Sequence, residues 1–142
     1  MGIYDNKCVL APTGLINLGS TCYMNSLLQC LLSCTSITKF FIKNEQLFKK
    51  NNNIVAIAYI LIIKGNVNSG IKLLFDSLNK KYPGRLIGQQ DSNEALHLFL
   101  EAINDESLYN LIIHKHYTKL WCHKCKKQIS TKEDKSVVYD IP

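Results

Sequence analysis

The sequence predicts an α+β chain: a mainly helical part followed by a β-hairpin that carries a Cys-x-x-Cys turn. Three observations predict it. Apolar residues recur at helical spacing in successive segments between Cys22 and Ala102. From about Leu108 the pattern shifts toward strand, with Leu111-Ile112-Ile113 leading into His114, His116 and Tyr117, and Val137-Val138-Tyr139 on the return. Between those runs lies Trp121-Cys122-His123-Lys124-Cys125, a knuckle that makes half of a zinc ribbon. Residues 1–107 are read as the helical part and 108–142 as the hairpin, with no repeat or low-complexity linker between them.

Residues 1–13, with Cys8 and Pro12, read as an extended leader. The stretch Gly14 to Leu32 opens as a glycine-bracketed loop around Asn17. At about Cys22 it becomes a helix whose stripe is Met24, Leu27, Leu28 and Leu31. Cys22 therefore sits in a first helical turn, where unpaired N–H groups and the helix dipole favour an anion. That setting suits a thiolate nucleophile. Thr35 and Ser36 offer an N-cap for a second short helix, with Phe40, Phe41, Leu47 and Phe48 spaced for partial burial. Ile54–Ile63 is apolar nearly all round, the mark of a helix sealed inside a domain. Lys64 to Gly70 reads as a loop. A helix with Ile71, Leu74, Phe75 and Leu78 on one face then ends before Tyr82-Pro83-Gly84. Asp91 with Glu94 three residues on resembles a capping box, and Ala95, Leu98, Phe99 and Ala102 form the core stripe behind it.

Composition narrows the function. With 46% hydrophobic and 20% charged residues in 142, the chain is ordinary for a globular domain. Its formal charge of +6 is almost all lysine, and Arg85 is the sole arginine. No basic face with arginine and aromatic groups stands out, so nucleic acid is not expected as a partner. The longest apolar run, Ile54 to Ile63, is too short for a membrane span, and the N-terminus has no apolar core of signal-peptide length. Six cysteines without a secretion signal point to reduced thiols that do chemistry or bind metal.

The stretch Gly14-Leu15-Ile16-Asn17-Leu18-Gly19-Ser20-Thr21-Cys22-Tyr23-Met24-Asn25-Ser26-Leu27-Leu28-Gln29 resembles the cysteine box of the ubiquitin-specific proteases, papain-like thiol peptidases that cut after the C-terminal glycine of ubiquitin. The resemblance implies that Cys22 is the nucleophile and that Asn17 donates its amide to the oxyanion. A neutral, pre-placed donor is what a carbonyl under attack requires. Gln89-Gln90-Asp91-Ser92-Asn93-Glu94-Ala95 is similar to the family's Gln-Gln-Asp element, with Ser92 and Ala95 in place of the usual Ala and Phe. By that similarity Gln90 and Asp91 bind substrate, the aspartate lying beside the channel for ubiquitin's arginine-rich tail. A carboxylate suits an arginine because the contact is charge-assisted and can be bidentate.

The same resemblance implies a papain-like thumb followed by the start of the fingers, whose tip holds a zinc ribbon in this family. Here Cys122 and Cys125 are the metal candidates, and the family's second Cys-x-x-Cys is absent. His114, His116 and His123 are not spaced compellingly as replacements, so two partly exposed thiols are the simpler reading and a structural zinc the alternative. No cofactor is implied for catalysis.

A thiol peptidase also needs a histidine to take the thiol proton. No histidine here lies in a context like the family's histidine box. The resemblance therefore reaches only the N-terminal part of a family domain. Three readings stay open: a deubiquitinase portion that works with a complementing C-terminal half, a catalytically inactive ubiquitin-binding module, and an interaction protein bridged through zinc into a dimer. Ubiquitin or ubiquitinated proteins are the implied partners. The implied compartment is the cytosol or nucleus of a eukaryotic cell, or of the host if the source is viral.

Overall fold

The computed structural model describes residues 14–137. The expected leader, with Cys8 and Pro12, and the closing Ile141-Pro142 lie outside the described residues. By packing, the chain divides into two compact units, residues 1–105 and 106–142.

The first unit is helical. Its elements are α1 (Cys22–Ser33), α2 (Thr35–Lys43), α3 (Glu45–Lys50), α4 (Ile54–Ile63), α5 (Val67–Lys81) and α6 (Ser92–Ile103). The expected stripe of α1 is buried, with Met24 and Leu28 fully enclosed. Helix α4 is the spine of the unit. Seven of its ten residues are buried, as its all-round apolar sequence requires. Its start is fixed by Asn53, whose Oδ1 accepts the Ala56 N–H at 3.1 Å while its Nδ2 donates to the Ile103 carbonyl at 2.8 Å. One asparagine thus caps α4 and ties it to the end of α6. Tyr59 of α4 lies against Phe41 of α2 and Phe99 of α6, with ring centroids 4.6 and 5.4 Å away. This aromatic cluster is the centre of the core.

Two boundaries differ from expectation. The single helix expected after Thr35 is two, α2 and α3, joined at Asn44. Only Cys34 separates α1 from α2, so Thr35 and Ser36 fall in the first turn and Cys34 takes the cap position. Leu47 is correspondingly exposed, whereas Phe41 and Phe48 are buried. Helix α5 begins at Val67, four residues before the expected Ile71, and carries Gly70 inside it. A Cβ on Gly70 would stand 2.6 Å from Ile62 Cγ1 and 2.9 Å from the Ala58 carbonyl oxygen. Glycine is there because α5 and α4 touch backbone to backbone, a packing reason that a loop reading misses.

The second unit holds α7 (Glu106–Ile112) and an antiparallel ribbon of β1 (His114–Cys122) and β2 (Lys127–Ser136). The strand expected from Leu108 is helix as far as Ile112, a correction to the assignment of that short apolar run. The register pairs His114 with Ser136 and Cys122 with Lys127, with a bulge at Leu120/Trp121. The hairpin itself is as expected, and the described residues are mainly helical with one two-stranded ribbon.

Candidate active site

The loop before α1 is built by one side chain. Asn17 Oδ1 accepts three hydrogen bonds, from the Gly19 N–H at 3.0 Å, the Thr21 N–H at 3.2 Å and the Thr21 hydroxyl at 2.9 Å. Thr21 is 5% exposed, and its Oγ1 also accepts the Leu18 N–H at 3.1 Å. Asn25, in the first turn of α1, donates from Nδ2 to the Ile16 carbonyl at 3.0 Å. The turn needs unusual backbone angles, with φ of +95° at Gly19 and +47° at Ser20, which glycine takes easily and serine does not. With its oxygen held by Thr21, Asn17 has its Nδ2 amide without a partner among the described residues. Its oxygen is an acceptor for the loop, and its nitrogen is a donor left over.

Cys22 is the first residue of α1 and is exposed. Thr21 gives α1 no side-chain cap, so the first-turn N–H groups are left for another acceptor. Cys22 and Asn17 are therefore joined through Thr21, which is bonded to one and adjacent to the other.

The Gln-Gln-Asp element sits against the same end of α1. The Ser92 hydroxyl donates to the Tyr23 carbonyl at 3.2 Å, and the Tyr23 hydroxyl donates to the Leu86 carbonyl at 3.2 Å. Burial, and secondarily the neighbouring Cys22, pushes the Tyr23 phenol above its ordinary range, so it stays a neutral donor. Ser92, a departure from the family pattern, thus supplies the bond between α6 and the residue after the candidate nucleophile. Asp91 caps α6 by accepting the Asn93 N–H on Oδ1 at 2.8 Å. Gln90 donates to the Ile87 carbonyl at 2.7 Å. Glu94 is not the reciprocal partner of a capping box: its carboxylate takes the Arg85 guanidinium, Nε to Oε1 at 2.8 Å.

Asn17, Cys22, Gln90 and Asp91 all lie in the first unit, and the Ser92–Tyr23 hydrogen bond ties the start of α6 to the start of α1. Cys122 and Cys125 belong to the second unit, at the ribbon tip. The Cys125 N–H points to Cys122 Sγ at 3.5 Å and the Lys126 N–H donates to the Cys122 carbonyl at 2.9 Å, with Lys126 at φ +54°. Hydrogen bonds from Cys125, then from Lys124, hold the Cys122 thiol below its ordinary range. The knuckle thus places two thiols at the ribbon tip, with Cys122 the one held toward its thiolate. Among the described residues no group of three or more His, Cys, Asp or Glu side chains gathers to hold a metal. Two ligands do not fill a tetrahedral site.

Sequence reasoning left Thr21 and Arg85 without roles. A threonine directly before the nucleophile, four residues after an asparagine, is a usable signal for the first. For Arg85 the capping-box spacing pointed Glu94 elsewhere.

The profile of the ubiquitin carboxyl-terminal hydrolase family matches residues 13–141. The chain belongs to this family. It is 32% identical over 109 residues to probable ubiquitin carboxyl-terminal hydrolase 1 of Schizosaccharomyces pombe, a match covering 66% of this chain and 13% of that protein. It is 31% identical over 128 residues to ubiquitin carboxyl-terminal hydrolase 12 of Saccharomyces cerevisiae, covering 75% of this chain and 10% of the other. The chain thus spans a small part of the curated relatives it matches. Among solved structures it is similar to the SAGA deubiquitinase module containing Ubp8 bound to monoubiquitin, with a TM-score of 0.64 at 22% identity, over 88% of this chain and 34% of that one. The fold is that of the N-terminal part of a ubiquitin-specific protease.

Proposed function

We propose that this chain is the nucleophile-bearing part of a deubiquitinating thiol hydrolase, which cleaves the isopeptide or peptide bond after ubiquitin's C-terminal glycine. The observation that carries the reading is the loop in which Asn17 Oδ1 is held by Thr21, leaving the Asn17 amide nitrogen without a partner among the described residues, directly before an exposed thiol at a helix start. Sγ of Cys22 attacks the glycine carbonyl carbon. The carbonyl oxygen takes the negative charge and receives the Asn17 amide and first-turn N–H groups. The C–N bond breaks, the amine leaves with a proton, and water hydrolyses the thioester to free ubiquitin's carboxylate and regenerate the thiol. Gln90 and Asp91 hold the tail. Solved neighbours that carry ubiquitin support ubiquitin as the partner, and that partner points to the cytosol or nucleus.

The proton transfers need a histidine. Among residues 14–105 the sole histidine is His97, exposed on α6, and no hydrogen bond joins it to Cys22 among the described residues. We assign the base to a further family segment, acting as a complementing half. The same observation favours a second reading, a ubiquitin-binding module without turnover. Zinc enters neither catalytic step. At Cys122 and Cys125 it belongs to the proposal only as a structural site completed by two ligands from elsewhere, which elemental analysis reads.

The test is incubation of the purified chain with a ubiquitin C-terminal electrophile, read by mass spectrometry, with and without a family C-terminal half. A single adduct is expected on Cys22, abolished by Cys22→Ser. An adduct that survives Cys22→Ser removes Cys22 as nucleophile. No adduct even with the added half favours the binding module.

A further inference from the structure

Asn25 grips both ends of the loop that carries Asn17. Its backbone N–H donates to the Thr21 carbonyl at 3.0 Å, and its Nδ2 donates to the Ile16 carbonyl, also at 3.0 Å. The hydrogen bonds that Asn17 and Thr21 accept run between residues 17 and 21. They shape the loop and do not fasten its entry to α1. Burial fastens it little, because Ile16 and Leu18 are 39% and 44% exposed. The Asn25 side chain reaches outside that set and ties the peptide unit directly ahead of Asn17 to the helix that bears Cys22. This bond leaves the other end of the amide unsatisfied: Asn25 Oδ1 is fully buried with no hydrogen-bond partner among the described residues. The Ile16 carbonyl can only accept, so the nitrogen faces it and the oxygen is turned inward. A buried acceptor left unpaired destabilises a fold, and an apolar side chain of like shape avoids that penalty. The position therefore keeps a donor that stability alone does not favour.

We propose that Asn25 is a positioning residue for the oxyanion donor: by holding the Ile16 carbonyl it fixes where the Asn17 amide stands relative to Cys22. The peptide unit is planar and stiff, so a carbonyl held at Ile16 also holds the backbone nitrogen of Asn17. Asn25 lies three residues after Cys22 on α1, which makes the two side chains neighbours on the helix surface, and the loop is thereby referenced to the turn that bears the thiol. Its own amide nitrogen is committed to Ile16, so it acts on the oxyanion only through Asn17. Transition-state stabilisation falls steeply when a donor is misplaced by about an ångström. The inference rests on the deubiquitinase reading above and adds a residue that orients its machinery.

The test uses two ubiquitin probes on the full 142-residue chain with the family C-terminal half added. Ubiquitin aldehyde adds the thiol to its carbonyl and leaves an oxygen where the oxyanion forms. Ubiquitin propargylamide gives a vinyl thioether with no such oxygen. Aldehyde affinity is read by fluorescence anisotropy, and propargylamide labelling of Cys22 by its rate in intact mass spectrometry. Asn25→Leu is expected to weaken aldehyde binding about tenfold or more. Its propargylamide rate and melting temperature should stay close to wild type, because donor and orphaned acceptor are removed together. Asn17→Asp combined with Asn25→Leu should bind the aldehyde as weakly as Asn17→Asp alone, since no donor is left to position. If Asn25→Leu does not fold, Asn25→Ala replaces it. An equal loss on both probes means a merely structural role and overturns the inference. Undiminished aldehyde binding overturns it too, and so do losses that multiply in the double variant. If Asn17→Asp leaves aldehyde binding unchanged, the inference falls while Cys22 keeps its role. If neither probe labels Cys22, the deubiquitinase reading falls with it.

Discussion

Asn17 uses the two ends of one amide differently. Its oxygen collects three donors from Gly19 and Thr21, which sets the loop and decides where its nitrogen points. Asn17→Asp separates these roles, because it keeps an acceptor for Thr21 and Gly19 but replaces the donor with oxygen. Expected is a melting temperature close to wild type and binding of ubiquitin aldehyde, whose adduct carries the oxyanion, weakened by roughly 10²-fold or more, the scale of a lost oxyanion donor. Asn17→Ala loses both roles, so it should also cost about 1 kcal/mol of stability for the missing hydrogen bonds. Undiminished aldehyde binding by Asn17→Asp would show that the amide nitrogen does not serve the oxyanion. Cys22 stands out in the sequence because a glycine loop running into a helix start is a local signal, whereas the roles proposed for Asn17, Gln90 and Asp91 rest on the resemblance to the family's motifs. Thr21 was hidden because threonine beside a cysteine has many structural uses, and its part is clear only from the four-residue reach back to Asn17.

At the scale of elements, the helices that read correctly are those whose pattern is strong in itself. The buried stripes of α1 and α6, and α4 with its apolar circumference, leave little alternative once each must hide its apolar face. The failures share a cause. Val67-Asn68-Ser69-Gly70 has the composition of a loop, yet α5 runs through it because Gly70 is needed for close packing on α4. Leu108 to Ile113 is a short apolar run, which periodicity cannot assign to helix or strand. Gly70→Ala makes the packing argument measurable. Alanine favours a helix by about 1 kcal/mol over glycine, but overpacking costs about 1–3 kcal/mol. Here the new methyl would meet the Ala58 carbonyl oxygen and the Ile62 backbone nitrogen at 2.9 and 3.0 Å, atoms that cannot rotate away. A net loss is therefore expected, read as a lower melting temperature at about 4–8 °C per kcal/mol. A variant as stable as wild type would mean that α4 and α5 can part without cost.

Across the whole molecule the two units are built on different physics. The first buries a continuous core in which Tyr59, Phe41, Phe99, Met24 and Leu28 are almost wholly enclosed. The ribbon buries almost nothing along its strands: Tyr117, Leu120, Trp121 and Ile129 are each more than half exposed. Two strands alone are marginal in water, and cross-strand pairs add only about 0.2–1 kcal/mol each. Ion pairs on the ribbon, such as Lys115 with Glu133 at 3.6 Å, are exposed and screened by salt. Amide hydrogen exchange of the full chain, followed by mass spectrometry, should therefore resolve two levels of protection. Peptides from α4, α5 and α6 should exchange only through cooperative unfolding of the first unit. Peptides from β1 and β2 should exchange orders of magnitude faster, through local opening that leaves the first unit intact. Equal protection in both would overturn this division, because it would require the ribbon to open only when the helical core does.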